Sequence, residues 1–303
     1  MIDITHKNSS YRKASASAIV VCSSPDTIQA ILDQSVPKGN VLESARIAAL
    51  FASKKTSDII PDCHPLPIEY TQVSFQLEET SILIEVEIAT IYKTGVEVEA
   101  MHAASVAALT LYDMLKPIDK GISIEKIQLM HKEGGKSDIK KKPLPHLTAA
   151  VIVCSDSISK GIKTDSAGLR IVEQLKKMGV AVNSYSIIPD ETNEIQAQAN
   201  KEIQNKTDLI VFTGGTGLSA RDVTPESLIP MIERRVPGIE EAIRSYGQSR
   251  TPYAMLSRSV AGFVGNSLLL AIPGSSRGAK ESMDAVFPQI LHVFSILGGQ
   301  RHD

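Results

Sequence analysis

Apolar positions in the second half of the chain come as short unbroken runs separated by stretches of helical period. Residues 147–154, 209–212 and 267–272 are almost wholly apolar and rich in branched side chains. Between them a 3.6-residue period covers 164–178 and 191–205, with an extended run at 180–188. Strands lacking polar alternation, each followed by a helix, predict a mostly parallel sheet covered on both faces, hence a three-layer α/β domain. Further helices are expected at 225–234 and 238–245, with a final one running through Leu297. The first half is patterned differently. Helical periods at 42–53 and 100–115 flank two adjacent strand-like runs, 68–77 and 82–91, with only Glu78-Glu79-Thr80-Ser81 between them. So short a gap cannot hold a parallel crossover and predicts an antiparallel hairpin. The expected fold is α+β, an antiparallel sheet with packed helices of the ferredoxin-like kind. The halves do not repeat one another.

Between them the chain reads Asp138-Ile139-Lys140-Lys141-Lys142-Pro143-Leu144-Pro145-His146, charged and proline-bearing, unable to continue a helix. This predicts a first domain at 1–142, a linker at 143–146 and a second domain at 147–303, in keeping with a length of 303 residues. A net charge of −2 provides no basic field for nucleic acid, and 4% aromatics without Trp provide no stacking platform, so nucleic acid is not an expected partner. Cys22, Cys63 and Cys154 lie far apart with no Cys-x-x-Cys, which disfavours both a disulfide framework and a cysteine zinc site and fits a reducing, cytoplasmic compartment. A secretory leader and a membrane span are likewise not expected.

Tunable groups in the first half sit on glycine or proline turns: Lys38-Gly39, Cys63-His64-Pro65, Lys93-Thr94-Gly95 and Gly134-Gly135-Lys136. Cations on turns that let a backbone approach closely suit a polyphosphate. The last of these is not a Walker A loop, since Met130 stands where its first glycine belongs. Asp113 and Lys116, three apart at the end of an apolar helix, share a face, either as a surface ion pair or as a mutually tuned acid/base pair. Glu97 and Glu99 would point to one side on an extended segment and diverge on a helix.

Taken in order, Lys38-Gly39-Asn40-Val41, Pro61-Asp62-Cys63-His64-Pro65-Leu66, Lys93-Thr94-Gly95-Val96-Glu97-Val98-Glu99-Ala100, residues 104–114 and Gly134-Gly135-Lys136-Ser137 resemble the MoaC family, cyclic pyranopterin monophosphate synthase, over nearly all of residues 1–142. The resemblance implies rearrangement of a cyclised dihydroguanosine triphosphate to cyclic pyranopterin monophosphate with loss of diphosphate. It implies Asp113 and Lys116 as acid/base residues, Lys38 and Lys136 on the reacting ring and phosphates, and Asp62, Cys63, His64, Glu97, Val98 and Glu99 lining the substrate site. Arg12 is the expected triphosphate contact. Asn40, Asp62 and Val98 depart from the family's usual aspartate, leucine and methionine.

In the second half, Thr213-Gly214-Gly215-Thr216-Gly217 follows an apolar strand and leads into Arg221-Asp222-Val223-Thr224-Pro225-Glu226, a way to offer backbone N–H groups to phosphate. Thr224 is the expected N-cap and Pro225 the first helical residue. Asp190 and Ser155-Asp156 stand at strand ends, where doubly wound sheets bind ligands. Such aspartates either cap helices or hold magnesium. With Pro237-Gly238, Leu256-Ser257-Arg258 and Pro273-Gly274-Ser275, these segments resemble the MogA/MoaB family, molybdopterin adenylyltransferase and its relatives, from about Leu147 onward. The resemblance implies transfer of adenylate from ATP to the phosphate of molybdopterin. Asp190 and Asp222 would hold Mg²⁺, the Gly214–Gly217 turn would cradle phosphate, and Ser155, Asp156, Glu226, Ser257, Pro273 and Gly274 would complete the substrate contacts. The alternative is a pterin-binding, oligomerising module without catalysis. Both families imply a homo-oligomer, trimer or hexamer, and our own expectation is that first-half sites form between protomers. Sulfur enters the pterin between the two reactions, so they would not be consecutive.

Overall fold

The computed structural model describes residues 1–135 and 146–298, and the chain divides into two compact units, Met1–Lys140 and Lys141–Asp303. Lys136 and most of the expected linker lie outside the described residues.

The first unit runs β1 (Ser10–Val21), α1 (Pro25–Leu32), α2 (Val41–Lys54), α3 (Thr56–Ile59), β2 (Tyr70–Leu77), β3 (Ser81–Tyr92), α4 (Glu97–Leu115) and β4 (Ser123–Glu133). Its sheet has the order β2-β3-β1-β4 with antiparallel neighbours throughout, the arrangement of a ferredoxin-like fold. The expected hairpin forms, with Leu77 opposite Ile82. Helix α4 begins at Glu97, three residues earlier than its apolar period, so Glu97 and Glu99 stand on a helix and diverge. Strand β1 was not among the expected strands because its inward side chains are Ala14, Ala16 and Ala18, too small to mark a strand by hydrophobicity. Those alanines face Ala100, Ala103, Ala104, Ala107 and Ala108 of α4 in one core, and the small side chains let the helix lie close on the sheet. Edge strand β4 was also missed, being almost wholly exposed, with apolar residues Ile124, Ile127, Leu129 and Met130 that do not alternate regularly.

The second unit runs β5 (Thr148–Cys154), α5 (Asp156–Ser159), α6 (Ala167–Lys177), β6 (Ala181–Ile188), α7 (Thr192–Gln204), β7 (Leu209–Thr213), α8 (Thr224–Leu228), β8 (Arg234–Arg235), α9 (Pro237–Gln248), β9 (Val260–Val264), β10 (Ser267–Ile272), α10 (Ser276–Val286) and α11 (His292–Leu297). The sheet order is β6-β5-β7-β10-β9-β8; the first four strands are parallel and the last two antiparallel. Alternate residues of the central strands feed two cores, Val151, Val211 and Leu270 on one face and Ile152, Phe212 and Leu269 on the other. Strands β6 and β7 leave β5 on opposite sides, which makes the carboxyl ends of β5 and β7 a topological switch point.

The helix expected at 225–234 stops at Leu228. Pro230 has no N–H to continue it, so one 3₁₀ turn follows and the chain extends into β8. Thr224 is not the cap: Val223 takes that place, and the Thr224 hydroxyl is buried inside the first turn. The final helix is two, broken beside Pro288. Strand β9 escaped notice because Gly262 interrupts it; a Cβ there would stand 2.3 Å from Ile232.

Candidate functional sites

In the first unit, Gly39 turns the chain at φ +93° and Asn40 caps α2 by accepting from Glu43 N–H, which leaves Lys38 projecting from the turn. Asn caps as well as the family's Asp. Lys38 Nζ donates to Asp113 Oδ2 and to the Asp113 carbonyl, 2.8 Å each, and Lys116 Nζ donates to Asp113 Oδ1 at 2.8 Å. Lys116, then Lys38, hold the Asp113 carboxyl down at about 2, and Asp113 in turn raises the Lys116 ammonium. The carboxylate therefore sits between two cations that favour its charged form.

The other expected residues gather at the opposite end of α4. Glu99, in its first turn, is 3% exposed and accepts from the Cys63 thiol at 3.0 Å. Burial pushes the Glu99 carboxyl up, and burial together with Glu99 pushes the Cys63 thiol up to about 12. His64 is 2.8 Å from the Ile2 carbonyl. Asp62, fully in water, meets the amino group of Met1 at 2.9 Å, and Val98 points outward. Arg12 donates to the Tyr92 carbonyl at 3.3 Å, and its guanidinium lies where a Cβ on Gly135 would be, 1.7 Å from Nη1. Glu97 pairs with Lys132 at 3.3 Å. Asp113 is fourteen residues beyond Glu99 on the straight course of α4, about 21 Å at the helical rise. One chain thus brings the expected residues together as two groups, not one. Sequence reasoning missed His102, one turn after Glu99, whose Nδ1 is 3.1 Å from the buried hydroxyl of Thr56.

In the second unit a cavity of about 250 Å³ opens at the switch point, lined by Ser155, Asp190, Gly214–Gly217, Asp222 and Gly274 among others. The two glycine turns fit by close approach: a Cβ on Gly214 would stand 2.1 Å from the Cys154 carbonyl oxygen, and one on Gly274 would stand 2.7 Å from Gly214 Cα. Gly215, at φ +59°, leaves room for Asp190 Oδ1 and Thr224 Oγ1. Asp190 and Asp156 are clasped reciprocally, each backbone N–H donating to the other's carboxylate at 3.2 Å. Arg221 donates to Asp156 Oδ2 from Nε at 3.0 Å and Nη2 at 2.7 Å, and to Glu191 at 3.0 Å. Asp222 accepts from Ser219 N–H at 2.9 Å. Arg258 holds the loop from beneath, bonded to the Gly217 and Asp222 carbonyls and to Glu226. Glu226 and Asp156 are thereby occupied as braces, a role the sequence did not assign them, while Ser155 caps α5. A second cavity of about 280 Å³ shares Thr216 and Gly217 with the first and is walled by Ile243, Tyr253, Leu256, Ser257 and Pro273.

Burial pushes the Asp190 carboxyl up, and the charges of Asp156 and Asp222 add to it. Asp190 Oδ1 is buried without a hydrogen-bond partner, a state that a cation would relieve. Among the described residues no group of three His, Cys, Asp or Glu side chains is placed to hold a metal unaided. The donors fit magnesium, which takes one or two carboxylates and fills its remaining positions with water and phosphate oxygens.

Residues 1–135 match the model of the MoaC family, and residues 150–292 match that of the probable molybdopterin binding domain. The chain is 42% identical to the molybdenum cofactor biosynthesis bifunctional protein of Chlorobaculum tepidum over 302 residues, all of this chain and 96% of that protein. It is 51% identical to the cyclic pyranopterin monophosphate synthase of Desulfatibacillum aliphaticivorans over 139 residues, 45% of this chain and 87% of that one. A crystal structure of a molybdopterin biosynthesis protein from Mycobacterium abscessus aligns over 51% of this chain and 98% of its own, at 33% identity and TM-score 0.49.

Proposed function

The chain belongs to the molybdenum cofactor biosynthesis bifunctional proteins, its first half being a cyclic pyranopterin monophosphate synthase of the MoaC family, and from that premise we propose that the second half is a magnesium-dependent adenylyltransferase acting on molybdopterin. The observation that carries this reading is the pairing of two adjoining cavities at the glycine turn, one rimmed by Asp190 and Asp222, the other walled by Ile243, Tyr253, Leu256 and Pro273 together with Arg244 and Glu281. A transfer between two substrates needs two subsites meeting at one phosphorus. ATP phosphates lie against the backbone N–H groups of Gly214–Gly217 with Gly274 beside them, and Ser257 and Pro273 bound the neighbouring ring pocket. Magnesium, when bound, neutralises the charge on the phosphates. Asp190 and Asp222 hold it, and Ser155 and Thr216 border the phosphate path. The pterin phosphate is itself the nucleophile, so no covalent intermediate on the protein is required.

In the first half, Lys116 stays protonated beside Asp113 and donates a proton, Lys38 and Lys136 meet the diphosphate charge, and Arg12 contacts the triphosphate. Cys63, His64, Val98 and Glu99 contact the ring, with Asp62 and Glu97 at the rim. The 21 Å between the two groups along α4 supports a site completed by a second copy of the chain, and hence a homo-oligomer. No helix among the described residues is long and apolar enough to cross a membrane.

The test is an assay of the whole protein with ATP, Mg²⁺ and molybdopterin, comparing it with Asp222→Ala. Adenylylated pterin and diphosphate are expected from the parent and at least a hundredfold less from the variant, the scale on which single charge-stabilising groups act. Tight pterin binding without any product would make the second half a binding module.

A further inference from the structure

We propose that Arg221 is the positioning residue of the second site, setting the geometry in which Asp190 and Asp222 meet magnesium; the inference rests on the adenylyltransferase reading. Its guanidinium is more than half exposed yet engaged through two of its nitrogens, with Nε and Nη2 on one oxygen of Asp156 and Nη2 also on Glu191. The other oxygen of Asp156 accepts from the Asp190 N–H, and the Asp156 N–H donates back to Asp190 Oδ2. A continuous path therefore runs from Arg221 through Asp156 to both hydrogen-bonding faces of Asp190. Arg221 also precedes Asp222 directly, on the loop that Asp222 closes through Ser219. One side chain so ties the ends of β5 and β6 to the loop after β7. It also places a positive charge among Asp156, Glu191, Asp190 and Asp222, which would otherwise drive those loops apart. A planar fork can serve two carboxylates at fixed angles, which an ammonium cannot.

The test compares the whole protein with Arg221→Gln, Arg221→Lys and Glu191→Gln. Calorimetry follows ATP binding as Mg²⁺ is varied, kinetics give kcat and the KM for Mg²⁺, and a thermal melt without ligands monitors folding. Removing a group that orients a metal ligand weakens metal affinity roughly 10- to 100-fold. Arg221→Gln is expected to raise the Mg²⁺ requirement by at least about tenfold in both binding and KM. At saturating Mg²⁺ kcat should stay within about threefold, because the carboxylates themselves remain. Arg221→Lys should fall between parent and Gln, and Glu191→Gln close to the parent, since the Asp156 bonds survive. An unchanged Mg²⁺ requirement in Arg221→Gln, or a fall in kcat alone, would overturn the proposal. Should Arg221→Gln not fold, Arg221→Lys decides by the same criterion. If the parent binds ATP with Mg²⁺ but forms no product, the adenylyltransferase reading fails while the binding comparison still judges Arg221.

Discussion

The two groups at either end of α4 make a prediction that can be worked through quantitatively. Asp113 with Lys38 and Lys116 marks one end, and Glu99 with Cys63 marks the other, about 21 Å away along a single helix. A bicyclic ring bearing a triphosphate cannot press its reacting atoms against both at once, because proton transfer needs contacts near 3 Å. If each site joins one end from one chain to the other end from its neighbour, an Asp113→Ala chain and a His64→Ala chain are each inactive alone but complement when mixed. With random equal mixing, one chain of each required kind meets at a given site with probability one half times one half. Purification through both tags discards unmixed assemblies, so the mixed oligomers should recover roughly a third of parental synthase activity as trimers and about a quarter as hexamers under closed symmetric assembly. The assay is cyclic pyranopterin monophosphate formation by doubly tagged oligomers purified after co-expression. A control sharpens it: Lys38 and Asp113 touch within one chain, so Lys38→Ala mixed with Asp113→Ala should recover nothing. Doubly tagged oligomers no more active than either variant alone would refute the shared site.

Two further outcomes follow from the charge states. Asp113, held at about 2 by Lys116 and Lys38, has a folded value below its unfolded one, so its contribution to stability is present above the ordinary carboxylate range near 4 and is lost as pH falls toward 2. Carboxyl-carbon NMR should show it ionised to about pH 2, with an upward shift in Lys116→Met; no shift would mean that the pairing is not what lowers it. Cys63, pushed up to about 12 by burial and Glu99, and Cys22 and Cys154, buried, should alkylate at pH 7 about three orders of magnitude more slowly than an ordinary thiol until the protein unfolds. Mass spectrometry of briefly iodoacetamide-treated native protein checks this, and rapid labelling at Cys63 would contradict it.

Both domain folds were legible where side chains were large. The unbroken runs of β5, β7 and β10 and the β2–β3 hairpin follow directly from pattern. Where packing depends on smallness, as with alanines of β1 against alanines of α4, or on an exposed edge, as with β4, hydrophobic periodicity carries no signal. The glycine turns and strand-end aspartates were likewise legible, but their division of labour was not. Asp156 and Glu226 are expected as substrate contacts, and the sequence does not show that each also pairs with an arginine, Arg221 and Arg258. Which carboxylates are braced by arginine depends on loops 30 to 65 residues apart in the chain meeting in space.

The environments of Asp113 and Glu99 also divide the proton chemistry of the first half. Both are carboxylates on one helix, and the structure pushes them in opposite directions: two ammonium groups hold Asp113 low, while burial pushes Glu99 up. Paired titratable groups displaced this way mark which can exchange a proton near neutrality and which cannot. A carboxyl held down by two ammonium groups is a poor base, because taking a proton forfeits both ion pairs. Asp113 anchors both Lys38 and Lys116 through its two carboxylate oxygens. Glu99, shielded from water, accepts from the Cys63 thiol, and burial pushes its carboxyl up. An acid/base role for Asp113 and Lys116 therefore requires the arriving substrate to weaken the ion pairs that Asp113 makes with Lys38 and Lys116.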